Sequence, residues 1–226
     1  MTRLKPIILY SLFFCFITVG LHAQNSPFTE GRISYQAVFP DSSEATTVSG
    51  YAFPREINLS LRNSLLLTEI SSLYVTDLNF IDLSSRKSDS YLAVAGKKIA
   101  IRSNLDTMLS QAYDRTPYIL ESVPGQKTIA GHSCYKVIAH FTNKAIPDAV
   151  IFYTRDIPFL PVAETMAFSR VAGFIMEIAE NFQGVTLHIN VKKVEAMKLP
   201  PDYFEKPSGY TPVAATELFK TLGKPF

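Results

Sequence analysis

Cysteine is nearly absent, two in 226 residues, one of them Cys15 in an apolar N-terminal run. No disulfide framework therefore holds this chain together. An excess of charge of one sign is missing as well: Lys+Arg number 22 and Asp+Glu 20. That balance lacks the clustered basic footprint of a nucleic-acid binder. Histidine is scarce, four in all, and no H-E-x-x-H, C-x-x-C or EF-hand pattern occurs. The usual ligand spacings of a metal site are thus missing. His132 and His140 would share a face of one unbroken strand, yet they would lie roughly 26 Å apart at about 3.3 Å per residue. Tryptophan is absent, and no apolar run reaches the about 20 residues that a membrane-spanning helix requires. What the chain does have is apolar mass. Hydrophobic residues make up 47% and charged residues 19%, enough for one sizeable core and too little charge for a disordered chain.

Met1–Ala23 reads as a secretory signal peptide. Arg3 and Lys5 form a positive start, Ile7–Leu21 is an uncharged and mostly apolar run, and Ala23 supplies a small residue at the cut. Cys15 does not mark a lipoprotein signal, because bulky Leu12-Phe13-Phe14 stand where small residues are needed. Cleavage would remove two bases, no acid and one cysteine, leaving residues 24–226 formally neutral with Cys134 alone. Their expected location is the periplasm or beyond it, a compartment that permits disulfides this chain cannot make internally.

From Gln24 onward the pattern is strands and turns. Ile33, Tyr35, Ala37 and Phe39 alternate with Ser34, Gln36 and Val38, a period of two that predicts a half-buried strand. Further strands are expected over Thr46–Phe53, Ile57–Leu61, Leu65–Leu67, Asp77–Leu83, Tyr91–Val94 and Ile99–Arg102. Tyr135–Phe141 and Ile151–Thr154 follow, and a hairpin joins Thr165–Glu180 to Val185–Val194. Pro124-Gly125 reads as a break. Turn signals about 10 residues apart fit an antiparallel sheet rather than βαβ units. Short helices are expected at Leu105–Tyr113, Pro200–Phe204 and Ala214–Leu222. One β-dominated domain over residues 24–226 is the economical organisation.

Candidate chemistry is sparse. Gly131-His132-Ser133-Cys134-Tyr135 is no nucleophile elbow, since Tyr135 replaces the second glycine and the context is turn-to-strand. Cys134 reads as a small half-buried residue in a setting without the basic neighbours that activate a thiol. Asp77 with Asp82, and Glu177 with Glu180, read as solvated strand-face charges rather than as the paired carboxylates of a cleft. No catalytic residue and no cofactor or metal is assigned. The surplus is aromatic, 16 Phe and 11 Tyr spread over many strands. A curved sheet lined by them either closes as a filled core or stays open and holds an apolar ligand.

Three segments resemble a family of exported bacterial proteins of unknown function, the one named for a G-L-P-G-L-I segment. Ile129-Ala130-Gly131-His132-Ser133-Cys134-Tyr135-Lys136 is similar to its I-x-G-x-x-C-x-K turn, and Ile151–Pro158 to its W-Y-T-x-D-I-P stretch. Asp202–Tyr210 is similar to its D-x-x-F-x-x-P-x-G-Y ending. The naming motif itself is degenerate: Gly173-Phe174-Ile175 match its last three residues, while Arg170-Val171-Ala172 depart from the first three. The resemblance implies a lipoprotein-carrier-like fold, a single antiparallel curved sheet or half-barrel with a few short helices. It also implies a non-enzymatic binding module for a lipid, an acyl chain or a lipoprotein, held on an apolar concave face. On that face the expected lining residues are Phe174, Met176 and Ile178 from one strand and Val185, Leu187, Ile189 and Val191 from the next. The alternative is an envelope scaffold that binds another protein through a sheet face. Nucleic acid is not an expected partner, and no transmembrane span is expected after residue 23.

Overall fold

The computed structural model describes residues 28–38, 56–72, 75–94, 96–106, 117–157, 168–182, 185–218 and 221. The proposed signal segment, the strand expected over Thr46–Phe53 and most of the helix expected over Leu105–Tyr113 lie outside them. Twelve strands form one sheet. In chain order they are β1 Glu30–Val38, β2 Glu56–Arg62, β3 Leu65–Ser71, β4 Val75–Asp82, β5 Lys87–Val94 and β6 Lys97–Asn104. Then come β7 Tyr118–Ile129, β8 His132–Phe141, β9 Ala149–Thr154, β10 Phe174–Phe182, β11 Val185–Ala196 and β12 Thr211–Pro212.

Their spatial order is β12-β6-β5-β4-β3-β2-β1-β11-β10-β9-β8-β7. Strands β1 to β6 meander outward one way, and β7 to β11 meander back until β11 pairs antiparallel with β1. The result is a single open, curled sheet, mainly β, with its ends at β7 and at β6 with the short parallel β12.

Local chemistry sets the hairpins. Ala130 (φ 47) and Gly131 (φ 85) form the two-residue turn between β7 and β8, where two positive φ angles match the twist of the flanking strands. Asp82 seats the β4–β5 turn. Its carboxylate accepts bonds from Ser84 Oγ at 2.6 Å and Ser85 Oγ at 2.7 Å, which hold its pKa down at about 2. The junction of the two meanders needs Gly31, since a Cβ there would stand 2.2 Å from the Glu195 carbonyl oxygen.

Side-chain alternation places three apolar clusters. Ile33, Leu61, Leu66 and Ile81 pack with Phe174, Met176 and Val191. Tyr118, Val137, Ala139, Ile151 and Tyr153 pack under Phe168 and Val171. Leu67, Phe80, Tyr91 and Ala100 occupy the opposite face of β3–β6, covered by Tyr203, Phe204 and Tyr210. The unbroken run Leu65-Leu66-Leu67 is explained by this arrangement: Leu66 and Leu67 are both buried, one on each face.

The C-terminal segment is a strap across that outer face. The Arg62 guanidinium donates to the carbonyls of Leu199 at 2.5 Å and Pro200 at 2.6 Å. Glu30 accepts from Leu199 N–H at 2.8 Å and from Arg62 Nε at 3.0 Å. The Tyr203 hydroxyl donates to Glu69 at 3.0 Å and meets Ser60 Oγ at 3.1 Å, and Lys206 pairs with Asp89.

Several expectations are corrected. Pro124-Gly125 does not break a strand; it lies in an irregularity of β7 between Ser122 and Gln126. Strand β10 begins at Phe174 rather than Thr165, after turns over 168–173. Pro200–Phe204 forms turns, closed by i-to-i+3 bonds from Tyr203 N–H to Pro200 O at 3.1 Å and from Glu205 N–H to Asp202 O at 2.9 Å rather than by the i-to-i+4 bonds of an α-helix. The helix expected at Ala214–Leu222 is present in its described part, as a 3-10 turn at Ala215–Glu217 followed by helical Leu218 and Thr221. No helix among the described residues is long and apolar enough to cross a membrane, which leaves membrane β-barrels untouched.

Candidate ligand-binding face

The expected lining residues fall on the β10–β11 hairpin, and the structure gathers most of them. Ile178 stands opposite Ile189 in the ladder. Phe174, Met176 and Val191 are buried in the main cluster beside Tyr35, with the Tyr35 and Phe174 rings 6.4 Å apart. Leu187 is buried as well. Ile189 packs half-buried against the main cluster, whereas Ile178 packs half-buried against the second. Val185 pairs with Phe182 in the backbone ladder, and its side chain is outside the described set. Two bulges aim these strands. Met176 is the extra residue where β10 meets β9, and Lys192 is the extra residue where β11 meets β1.

Four uninterrupted ladders extend this face across the sheet from Tyr35. Tyr35 stands opposite Val191 on one side and Ile57 on the other; Ile57 faces Ile70, and Ile70 faces Asp77. Asp77 in turn stands opposite Leu92. Residues directly opposite one another in antiparallel strands point to the same side, so Val191, Tyr35, Ile57, Ile70, Asp77 and Leu92 form one row on one face. Ile57, Ile70 and Leu92 are half-buried.

Two polar groups in that row are unsatisfied. Buried side-chain polar atoms without a hydrogen-bond partner among the described residues are Arg32 Nε, Tyr35 OH, Asp77 Oδ1 and Tyr118 OH. Arg32 still pairs through its terminal nitrogen with Glu69 at 3.2 Å. The Tyr118 ring carries the Arg170 guanidinium at 3.9 Å, a contact that leaves its hydroxyl as unmet as the Tyr35 hydroxyl and the Asp77 oxygen. Burial pushes the Tyr35 hydroxyl pKa up and raises Asp77 to about 6. Asp77 is therefore not the solvated strand-face charge expected from sequence. Strand alternation alone does not reveal it, since the signal is its alignment with Tyr35 through ladders that join residues far apart in the chain.

The remaining chemistry-bearing residues are held in structural roles. Cys134 is buried, its thiol donates to the His132 carbonyl at 3.3 Å, and burial raises its pKa. Glu177 is not a solvated acid either: it pairs with Lys127 at 2.6 Å while the ammonium lies 3.9 Å from the Phe152 ring centre. The Glu180 side chain is outside the described set. Ser133 presents its N–H to Asp156 at 3.1 Å. His140 Nε2 meets Glu121 and its Nδ1 meets Asp148, each at 2.7 Å, so the two carboxylates raise its pKa and occupy both ring nitrogens. Among the described residues no group of three His, Cys, Asp or Glu is placed to hold a metal ion.

No family model matches the chain, and no curated protein matches it. Solved structures do resemble its fold. The structure of PNGF-II in the P21 space group aligns with a TM-score of 0.52 at 12% identity, covering 85% of this chain and 32% of that one. The C2 crystal form of PNGF-II gives 0.45 at 13% identity, with 85% and 32% covered. The structure of MucB in complex with MucA(peri) gives 0.36 at 11% identity, covering 82% of this chain and 57% of that one. The chain thus spans 32% of the PNGF-II structure and 57% of the MucB one. At this identity the likeness to PNGF-II concerns the fold alone, and the two lower scores carry no weight for function.

Proposed function

We propose that this chain is an exported, non-enzymatic binding protein of the cell envelope that holds a lipid or a lipidated partner on the apolar face of its curled sheet. The observation that carries the proposal is an open sheet whose face bears a row of half-buried apolar side chains, Ile57, Ile70 and Leu92, continuous with Val191 of the β10–β11 hairpin. Concave, mostly apolar surfaces with a few placed polar groups are the usual form of small-molecule sites. The signal-like N-terminus and the resemblance to the exported G-L-P-G-L-I family support the envelope assignment. His140 has both ring nitrogens on carboxylates, so it has none left to act as a base. Gel filtration of the purified protein with a radiolabelled acyl chain tests the proposal. Co-elution is expected, and the absence of any retained label contradicts it.

One observation favours a protein partner instead. Ile119 is 67% exposed on the edge strand β7, where an added strand from another chain finds open backbone groups. A stoichiometric partner that co-purifies with the wild type and is lost on Ile119→Lys would support that scaffold function.

A further inference from the structure

We infer that His140 is held as the doubly protonated imidazolium and serves as a pH-operated clasp, joining the edge strand β7 and the β8–β9 connection to β8. Its Nε2 lies 2.7 Å from Glu121 Oε2, and its Nδ1 lies 2.7 Å from Asp148 Oδ2. An ionised carboxylate only accepts hydrogen bonds, so each ring nitrogen needs a hydrogen of its own, and only the cation carries both. Neutral imidazole has one donor, and its other nitrogen would turn a lone pair toward a carboxylate.

Strand register builds the clasp from three segments. His140 stands opposite Ile119 and Glu121 opposite Ile138, so Glu121 is the diagonal neighbour of His140 on one face of the β7–β8 pair. Ala139 stands opposite Ala149, which sets Asp148 level with His140 just before β9. Among the described residues β7 has no strand on its outer side. Its start is tied down where the Thr142 N–H and hydroxyl both donate to the Pro117 carbonyl, at 2.9 and 2.6 Å. Beyond Ser122 the ladder is irregular until Gln126. Tyr118–Ser122 is therefore a short paired stretch with an interruption behind it, and Glu121 gives it a side-chain tie to β8. A stretch of this kind opens locally without the rest of the sheet.

Few other charges face the ring. The β8–β9 connection adds the exposed Lys144, and β8 itself adds Lys136, four residues away on the same face. Strand β9 adds none there, since Tyr153 stands opposite Tyr135 on the other face. Hydrogen bonds to Glu121 first, then to Asp148, raise the His140 pKa above its ordinary 6.5. The clasp is thus fully closed below about pH 6.5 and opens as pH rises through the raised value. His140 is 31% exposed and its two partners 58% and 47%, so solvent weakens each contact. The donor count, rather than deep burial, makes the arrangement pH-sensitive. The clasp sets the pH range over which the free edge of the sheet stays ordered.

Two readouts test this on the purified protein. In a proton NMR titration of the histidine C2 hydrogens, with the His140 signal assigned by its loss in His140→Gln, the wild-type midpoint is expected above pH 6.5. Glu121→Gln and Asp148→Asn should each move that midpoint down. Amide hydrogen exchange, corrected for its intrinsic pH dependence, reads the edge itself. Protection of the paired amides within Tyr118–Ser122 should fall about threefold or more between pH 6 and pH 9. In Glu121→Gln that fall should disappear, because the Gln amide donates to neutral imidazole and its oxygen accepts from the cation. A wild-type His140 midpoint at or below 6.5, or one that neither substitution moves, overturns the inference. Edge protection that stays level with pH in the wild type, or a fall that persists undiminished in Glu121→Gln, overturns it equally.

Discussion

Asp77 stands opposite Ile70 and Leu92 with one oxygen buried and unpaired, and burial raises its pKa to about 6 against an ordinary 3.8. Between those two values the folded chain keeps a proton that the unfolded chain has released. Stability therefore falls as pH rises through that window, by on the order of 2–3 kcal/mol. Asp77→Asn should raise the urea midpoint at pH 7.5 and change it little near pH 2.5, where both states are protonated. His140 behaves in the opposite sense. Hydrogen bonds to Glu121 and Asp148 raise its pKa, so their stabilisation is fully present below about pH 6.5 and is lost as pH climbs through the raised folded value. His140→Gln should flatten the difference between urea midpoints measured at pH 5.5 and 8.5. Cys134 tests burial directly. Its enclosed, raised-pKa thiol should react with a disulfide reagent only at the rate of unfolding, and rapid labelling of the native protein would place it at an accessible surface instead.

Among the elements, the strap over 199–213 carries the clearest consequence. It covers Leu67, Phe80 and Tyr91, and Tyr210 meets Tyr91 edge-on at 5.3 Å. Removing that half-buried ring by Tyr210→Ala should cost about 1–2 kcal/mol in urea unfolding. Truncation after Lys198 should also expose the apolar outer face to a hydrophobic dye. The hairpins were legible in the chain because their information is local: period-two alternation in Ile33–Ala37 and Tyr135–Phe141, and turn residues at Asn63-Ser64 and Ala130-Gly131. What joins distant segments was not legible. The pairing of Gly31–Val38 with His188–Ala196, the parallel addition of Thr211-Pro212 beside Ile99-Ala100, and the bulges at Met176 and Lys192 depend on register between strands remote in sequence. For the same reason, Phe174, Met176 and Val191 stand out as apolar alternation, whereas the placement of Tyr35 and Asp77 in one row depends on the register of three ladders. The tail motif Asp202–Tyr210 was legible as a pattern, and the sheet supplies its physical cause in the packing of Tyr203, Phe204 and Tyr210.

At the scale of the molecule, one sheet provides two differently finished surfaces. The outer face of β3–β6 is sealed by the chain's own C-terminal strap, with Arg62 and Glu30 pinning its start. The other face combines a filled cluster around Ile33, Met176 and Val191 with the half-buried row through Ile57, Ile70 and Leu92. The half-buried row is the surface on which the proposed apolar partner would lie. The most direct measurement is organic extraction of protein purified natively, without detergent, from the envelope of its own cells, followed by mass spectrometry of the extract. The expected result is a near-stoichiometric amphiphile in the extract. An extract free of lipid, from protein that also fails to retain added acyl chains, would contradict it.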